Sequence, residues 1–366
     1  MRFAAVLILL PALHLAARAQ PVSISGVVSD AETGLPLPSA HVFVSGSLMG
    51  TATDTQGRFI LARIPRGAHR VVATMLGYAP QSVDTLMSGP DLVLDFRLEP
   101  RVIEAGRLEV TAERDESWRR NLERFEREFL GESESGTASR IVNPEMLDFD
   151  RNWWGRLRAK ASAPLEIENR HLGYRVTYHL KDYDYTPSVL RYDGDPQFAE
   201  LAPASPEEAA RWVRNRVAAF NGSLRHFLLA LLVDSTESQG FRLYRRPSLD
   251  NPSRSSLRFG LTPSDLLRDS DSTGAVLRFT GFVEIIYEPE LEEQAFLKRE
   301  GSFRRPAPQR SWIRLSSGPT LIDWLGSVVD PYGVTVYGYL AFERVGDELP
   351  KEYRPPGTVL NPSPDL

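Results

Sequence analysis

Residues 50–59 read Gly-Thr-Ala-Thr-Asp-Thr-Gln-Gly-Arg-Phe. Asp54-Thr55-Gln56-Gly57 has the composition of a type I turn with glycine in the left-handed position, so the stretch is predicted to fold back as a hairpin. The same short rhythm continues on both sides. Upstream, Val22, Ile24, Gly26 and Val28 fall on alternate positions, Asp30–Pro36 is a loop signal, and Val42 and Val44 alternate with His41 and Phe43 before a turn over Gly46–Gly50. Downstream come Phe59, Leu61 and Ile64, a tight turn at Pro65-Arg66-Gly67, a β-branched run from Arg70 to Met75 closed by Gly77-Tyr78, and a last alternation of Leu92, Leu94, Phe96 and Leu98. Strands this short, separated by turn signals every several residues, predict a β-sandwich over 20–99.

The ordered string Ile24-x-Gly26-x-Val28-x-Asp30, Thr33-Gly34-x-Pro36, Ala40-x-Val42-x-Val44, Gly50-Thr51-x-Thr53-Asp54-x-x-Gly57-x-Phe59, Pro65-x-Gly67 and Gly77-Tyr78 resembles the carboxypeptidase-regulatory-like domain. It is similar to the version found at the start of outer-membrane receptors and surface proteins of Bacteroidetes-type bacteria. The resemblance implies a transthyretin-like sandwich, grouped with carbohydrate-binding-like folds, and no peptidase activity or zinc ligand set. Arg107-Leu108-Glu109-Val110-Thr111 resembles the link that follows the domain in such receptors. No plug and no series of roughly ten-residue lipid-facing strands follows, so a receptor barrel is not expected.

The first residues predict export. Arg2 precedes an apolar run from Phe3 to Leu10, and Ala17-Arg18-Ala19 supplies a small-x-small cleavage pattern, which makes 1–19 a signal peptide. The run is shorter than the roughly 20 residues a spanning helix needs, and no later stretch is long and apolar enough to span. The chain has no cysteine. Disulfides, thiolate metal sites, cysteine nucleophiles and a lipidated cysteine are thereby excluded. The expected location is the periplasm, with outer-membrane association or secretion as alternatives. The chain's net charge is -5. An acidic balance argues against nucleic acid as a partner.

Beyond the sandwich, 100–140 reads as a charged linker and an amphipathic helix in which Trp118, Leu122, Phe125 and Phe129 form a core-facing stripe ending at Gly131. Residues 141–357 read as an α+β domain, and 358–366 as a flexible tail. Ser205-Pro206-Glu207-Glu208 is a helix start with an N-cap serine, and the helix is predicted to run to Leu231 with Gly222 inside it and a neighbouring backbone close by. Its apolar face includes Trp212, Phe220, Phe227 and Leu231. Arg216, near the edge of that face, is expected to need a carboxylate. Strands are predicted at Leu165–Ile167, Leu172–Leu180, Phe241–Tyr244, Ala275–Tyr287, Trp312–Leu315 and Val334–Phe342. The fold class is mostly β with α+β: a transthyretin-like sandwich followed by a larger α+β domain with one long helix against a sheet. The pattern Pro164-Leu165-x-Ile167-x-Asn169, Gly222–Leu228, Gly338-Tyr339 and Leu349-Pro350-x-x-Tyr353-x-Pro355 resembles proteins that carry this sandwich and have no assigned activity.

Little in the sequence points to chemistry. His41, His69, His171, His179 and His226 open no metal-binding motif, and no cofactor is implied. His171 and His179 are expected on one strand. Ser223 and His226, one helical turn apart and without a strained elbow, make a poor catalytic pair. Asp269–Gly274 suggests half a calcium loop but has Thr280 where the bidentate glutamate belongs, so it reads as a hairpin turn, as does Asp193-Gly194-Asp195-Pro196. Arg211, Arg214 and Arg225 could meet an anion, with a solvated helix face as the default reading. Tyr174, Tyr178, Tyr183, Tyr185 and Tyr192 cluster locally, and aromatics on an exposed sheet could stack on sugar rings. The candidate ligand-binding residues are therefore Tyr174, Tyr178 and His226, with no catalytic residue. The expected function is a non-enzymatic binding or scaffold protein of the cell envelope, partnered by an envelope protein or a glycan. The alternatives are a carbohydrate-binding protein and a hydrolase whose site is assembled in the C-terminal domain.

Overall fold

The computed structural model describes residues 22–87, 89–101, 116–249, 258–271, 273–358 and 360. The predicted signal peptide, the receptor-like link at 107–111 and most of the predicted tail lie outside the described residues. The first unit is the expected sandwich. One sheet joins β1 (Val22–Asp30) to β4 (Arg58–Ile64) on one side and to the short β7 (Leu92–Val93) and β8 (Phe96–Leu98) on the other. The second sheet has the order β3 (Gly50–Ala52), β2 (His41–Val44), β5 (Gly67–Thr74), β6 (Gln81–Met87). β3 and β4 lie in different sheets, so the Asp54–Gly57 turn crosses the sandwich and does not close the predicted hairpin. Ile24, Val28, Val42, Val44, Phe59, Leu61, Val71 and Phe96 fill the space between them.

The last predicted strand of the sandwich is in fact two, both parallel to β1. The reason lies at Gly26, where a Cβ would sit 2.0 Å from the carbonyl oxygen of Leu94, so the crossing chain passes over bare backbone. β6 carried no sequence signal. Its inward positions, Gln81, Val83, Thr85 and Met87, alternate polar and apolar, and it closes the sheet as an edge.

The second unit is a six-stranded sheet of order β10-β11-β13-β12-β9, with β14 on β13. The ranges are β9 Ser139–Ile141, β10 Leu147–Arg151, β11 Leu157–Ala161, β12 Leu165–Asn169, β13 Tyr174–Tyr185 and β14 Leu190–Glu200. Helix α1 (Glu116–Leu130) lays the predicted stripe on it, with Phe125 4.6 Å from Tyr183 and Phe129 5.0 Å from Tyr178 between ring centroids. Gly131 ends the helix at φ 101°. The stretch Asp193–Pro196 is not a turn but lies inside β14, paired with β13. Gly194 is required there because a Cβ would lie 2.3 Å from the Tyr178 ring. His171 is in the turn before β13, not on one strand with His179.

The predicted long helix is broken. After the single turn α2 (Glu134–Thr137), α3 runs Pro206–Phe220 and α4 Leu224–Leu232. Gly222 takes φ 73°, a conformation outside a right-handed helix, and Ser223 caps the second piece by accepting from the backbone N of His226. What approaches Gly222 is a pair of side chains, Gln309 and Tyr287, not a backbone.

The third unit packs α4 on a five-stranded sheet of order β16-β15-β19-β20-β22, beside a three-stranded sheet β17-β18-β21. Their ranges are β15 Phe241–Arg246, β16 Phe259–Gly260, β17 Leu267–Arg268, β18 Gly274–Leu277, β19 Phe282–Leu291, β20 Pro308–Leu315, β21 Thr320–Asp323 and β22 Val334–Gly338. The predicted strand Ala275–Tyr287 is thus split between two sheets, with Gly281 at φ 74° in the turn. Val334–Phe342 likewise stops at Gly338 and continues as a 3-10 turn over Tyr339–Ala341. Between the paired β17 and β18, Asp271 accepts from the backbone N of Thr273 and Gly274. Leu360, in the predicted tail, is buried in this core. The chain is mostly β with α+β, and among the described residues the part beyond the sandwich holds two large cores and a small cluster of Phe296, Leu297, Tyr339 and Phe342.

Candidate functional site

The sandwich is seated on the rest by main-chain bonds around the β2–β3 turn. Gly46 N donates to Pro196 O at 2.6 Å, Phe198 N to Ser47 O at 2.9 Å, and Lys351 N to Gly46 O at 2.8 Å. Leu48 N donates to Glu352 Oε1 at 2.6 Å. Charge reinforces the seam: buried Asp195 pairs with Lys181 at 2.7 Å and faces Arg70, which holds Asp84 at 2.8 Å. The rings of His41, Phe43 and His179 stack across it, with centroids 5.8 and 5.5 Å apart.

Where the three units meet lies a half-open cavity of about 680 Å³. His69 and Arg70 come from the sandwich, Tyr178 and Tyr192 from the six-stranded sheet, Arg225 from α4 and Asp323 from β21. The floor is the C-terminal segment, which contributes Glu343, Arg344, Asp347, Glu348 and Lys351. That segment touches every unit. Its Gly346 carbonyl accepts from Asn169 Nδ2 at 2.7 Å, and Asp347 accepts from Ser133 Oγ at 2.6 Å. Arg225 donates to the carbonyls of Leu349, Pro350 and Tyr353. A Cβ on Gly346 would lie 2.5 Å from Gly136 Cα, so the backbones meet there.

The electrostatics are those of desolvated charge. Burial raises the Asp347 carboxyl to about 6 against the hydrogen bonds it accepts, and raises Glu348 to about 7 with help from Asp347. Glu343 is pushed well above the carboxylate range by burial and by Asp347, Glu290 and Glu293. Asp323 also moves up through burial, opposed by Lys351 and the backbone N–H groups of Ser327 and Leu325. Burial pushes Arg225 and Arg344 down. The three carbonyls that Arg225 meets favour its charged form, so it stays a donor. Among the described residues, the side-chain charges of Arg225, Arg344 and Lys351 form no ion pair within 4.0 Å, although the backbone N of Arg344 donates to Asp347 at 3.0 Å. His69 is 2% exposed, donates Nε2–H to Pro65 O at 2.7 Å, and is pushed down to about 4 by burial. Acids and bases thus face one half-open space and offset each other only at a distance, which suits a polar ligand that supplies closer partners.

The sequence-predicted candidates fare unequally. Tyr178 lines the cavity, whereas Tyr174 does not. Both are core residues, 2% and 3% exposed, so neither offers a sugar-stacking face. The support that exposed tyrosines would give a carbohydrate-binding reading is thereby lost: i and i+4 on β13 place both rings on the face that α1 and α3 cover. Burial raises Tyr174 to about 12, and the Arg216 guanidinium lies 4.0 Å over its ring. Arg216 finds the expected carboxylate in Glu200 at 2.8 Å.

His226 lies outside the cavity. Its Nδ1 accepts from Gly222 N at 3.1 Å, its Nε2 is 3.1 Å from Gln239 Oε1, and its ring packs on Phe220 and Phe241. It bridges the break between α3 and α4. Ser223 Oγ donates to Phe220 O, so no Ser–His relay forms. Arg211 pairs with Glu208, Arg214 is exposed and Arg225 turns inward, so the three arginines do not form one site. Sequence reasoning missed the floor segment. Its only signal was charge beside apolar residues without helix or strand period, as in Phe342-Glu343-Arg344-Val345-Gly346-Asp347-Glu348-Leu349.

Residues 23–99 match the family profile of the carboxypeptidase regulatory-like domain. No curated protein matches the chain. Among solved structures, a cohesin–X-dockerin complex from Acetivibrio cellulolyticus is similar at 17% identity over 20% of this chain and 52% of that one, with a TM-score of 0.19. The match thus spans about half the length of that relative. The 5-hydroxyisourate hydrolase of Klebsiella pneumoniae is similar at 20% identity over 22% of this chain and 90% of that one, TM-score 0.19. A Bacteroides uniformis protein provisionally described as carbohydrate-binding is similar at 13% identity over 51% of this chain and 76% of that one, TM-score 0.20. Likenesses this distant carry nothing about what this chain does.

Proposed function

We propose that the chain is a non-enzymatic binding or scaffold protein of the cell envelope, exported to the periplasm or the cell surface. In this reading the carboxypeptidase-regulatory-like sandwich is an interaction module and the cavity behind it holds a polar ligand. The observation that carries the reading is the cavity itself, set where three units meet and lined by an Arg70–Asp84 pair together with buried carboxyls and the unbridged side chains of Arg225 and Lys351. The engaged hydrogen bonds of Ser223 and His226 favour binding over nucleophilic catalysis. Native mass spectrometry of the protein purified from an envelope fraction is expected to show a bound mass that Ala68→Trp, on the cavity wall, removes. A protein that carries no ligand and captures no envelope partner would overturn the reading.

One observation favours a second reading, a hydrolase. Glu343, Asp347 and Glu348 converge with raised pKa values, and Glu348 near 7 has the poise of a general acid. Turnover of peptide, ester or glycoside substrates that is lost in Glu348→Gln would move the assignment to that class.

A further inference from the structure

We infer that one end of the six-stranded sheet is a docking surface for an anionic lipid layer. The β10–β11 turn carries Trp153 and Trp154, 81% and 69% exposed, with ring centroids 3.5 Å apart. The remaining four tryptophans are buried or half-buried. The turn is held in place: Asn152 N donates to Arg156 O, Gly155 N to Asn152 O, and Arg156 N to Asn152 Oδ1. Beside it stands the β13–β14 turn, closed by Thr186 N to Val189 O at 2.8 Å. β11 pairs with β13 at Leu157 and Tyr185, and a Cβ on Gly155 would lie 4.0 Å from Pro187, so the two tips are neighbours. Val189, 43% exposed, completes an apolar end made of two indoles, a proline and a valine.

Behind that end stand arginines. Arg156 and Arg158 share Asp184, Arg191 sits opposite it in register, and Asp150 and Asp182 also act on Arg156. Arg151 is exposed with no carboxylate within 4.0 Å among the described residues. Residues 150–158 and 182–191 hold four arginines against three aspartates, a slight cationic excess on a chain whose net charge is -5. Indoles favour the headgroup layer, arginine stems reach along apolar surface while their heads meet phosphate, and a cationic segment adds attraction to an anionic leaflet. A sugar platform is disfavoured, because each indole covers one face of the other. The surface is independent of the cavity and would hold the protein to a membrane without any spanning segment.

The test is co-sedimentation of the full chain with vesicles of phosphatidylcholine, alone or mixed with phosphatidylglycerol, together with tryptophan emission. Binding to the mixed vesicles with a blue shift is expected. Trp153→Ala with Trp154→Ala should lower the affinity roughly tenfold or more, with the far-UV spectrum unchanged because both rings are outside every core. Arg151→Gln with Arg158→Gln should reduce binding to the mixed vesicles and leave pure phosphatidylcholine unaffected. Failure to bind either vesicle would overturn the inference. So would Trp-dependent binding to an envelope glycan without vesicle binding, or vesicle binding that survives loss of both indoles.

Discussion

The sandwich and the C-terminal segment Tyr339–Tyr353 are built on opposite plans. The sandwich gets its order from pattern: alternating apolar residues turn inward from both sheets, turns close each hairpin, and its core holds aliphatic and aromatic side chains. The C-terminal segment has no strand and only two 3-10 turns, yet it bonds to the sandwich, to the turn after α1, to β12 and to α4. It places charge where the sandwich places hydrocarbon. The contrast teaches that the stable module and the site obey different rules: one minimises buried polarity, and the other maintains it around a cavity.

The largest expected effect strikes the sandwich. Phe96→Ala removes a fully buried ring that packs against Phe59 and should cost about 3–5 kcal/mol. All six tryptophans lie outside the sandwich, at 118 or later. Chemical denaturation followed by far-UV circular dichroism should therefore show an early transition that tryptophan emission does not. If both probes move together, the two regions are one cooperative unit and the contrast is weaker than drawn.

Next is Gly346→Ala. The added Cβ meets Gly136 Cα and the Leu130 carbonyl at 2.5 Å, and overpacking against backbone should cost about 2–3 kcal/mol. Here tryptophan emission should report the loss while the sandwich holds. A neutral outcome would mean that the segment yields easily and does not organise the junction.

The smallest effect is in pH dependence. The folded pKa of Glu348 is raised to about 7 from the ordinary carboxylate value, so the folded state favours its neutral form. That contribution is complete below the unfolded pKa of about 4.5 and is lost as pH rises through about 7. Glu348→Gln keeps the neutral form at every pH. Its Tm should match the wild type near pH 4.5 and exceed it by a few degrees at pH 8, on the order of 1 kcal/mol after allowing for water in the cavity. Comparing the two proteins at each pH cancels the histidines, whose depressed pKa values act in the opposite direction. A constant difference would show that Glu348 has a countercharge.

How much was legible follows from range. The turn at Asp54–Gly57, the α1 stripe ending at Gly131 and the helix start at Ser205 are set by residues a few positions apart, and each stands where the sequence places it. Gly222 was legible as a cost but not as a break, because its conformation depends on Tyr287 and Gln309 on other strands. The tyrosines of β13 were legible as a cluster but not as core, since α1 covers them from a distance in sequence. Trp153 and Trp154 gave no signal at all, because a tryptophan pair in a turn reads the same whether the fold covers it or leaves it bare.

By itself, then, the sequence determined a carboxypeptidase-regulatory-like sandwich, a mostly β chain and the absence of cysteine chemistry, all of which depend on local pattern and composition. The tertiary structure alone decided that the remainder has two large cores, that Arg225 turns inward, and that Glu343, Asp347 and Glu348 line one half-open cavity with Arg344. Burial and the meeting of distant charges are properties of packing, and a one-dimensional pattern does not specify which surfaces will be brought together.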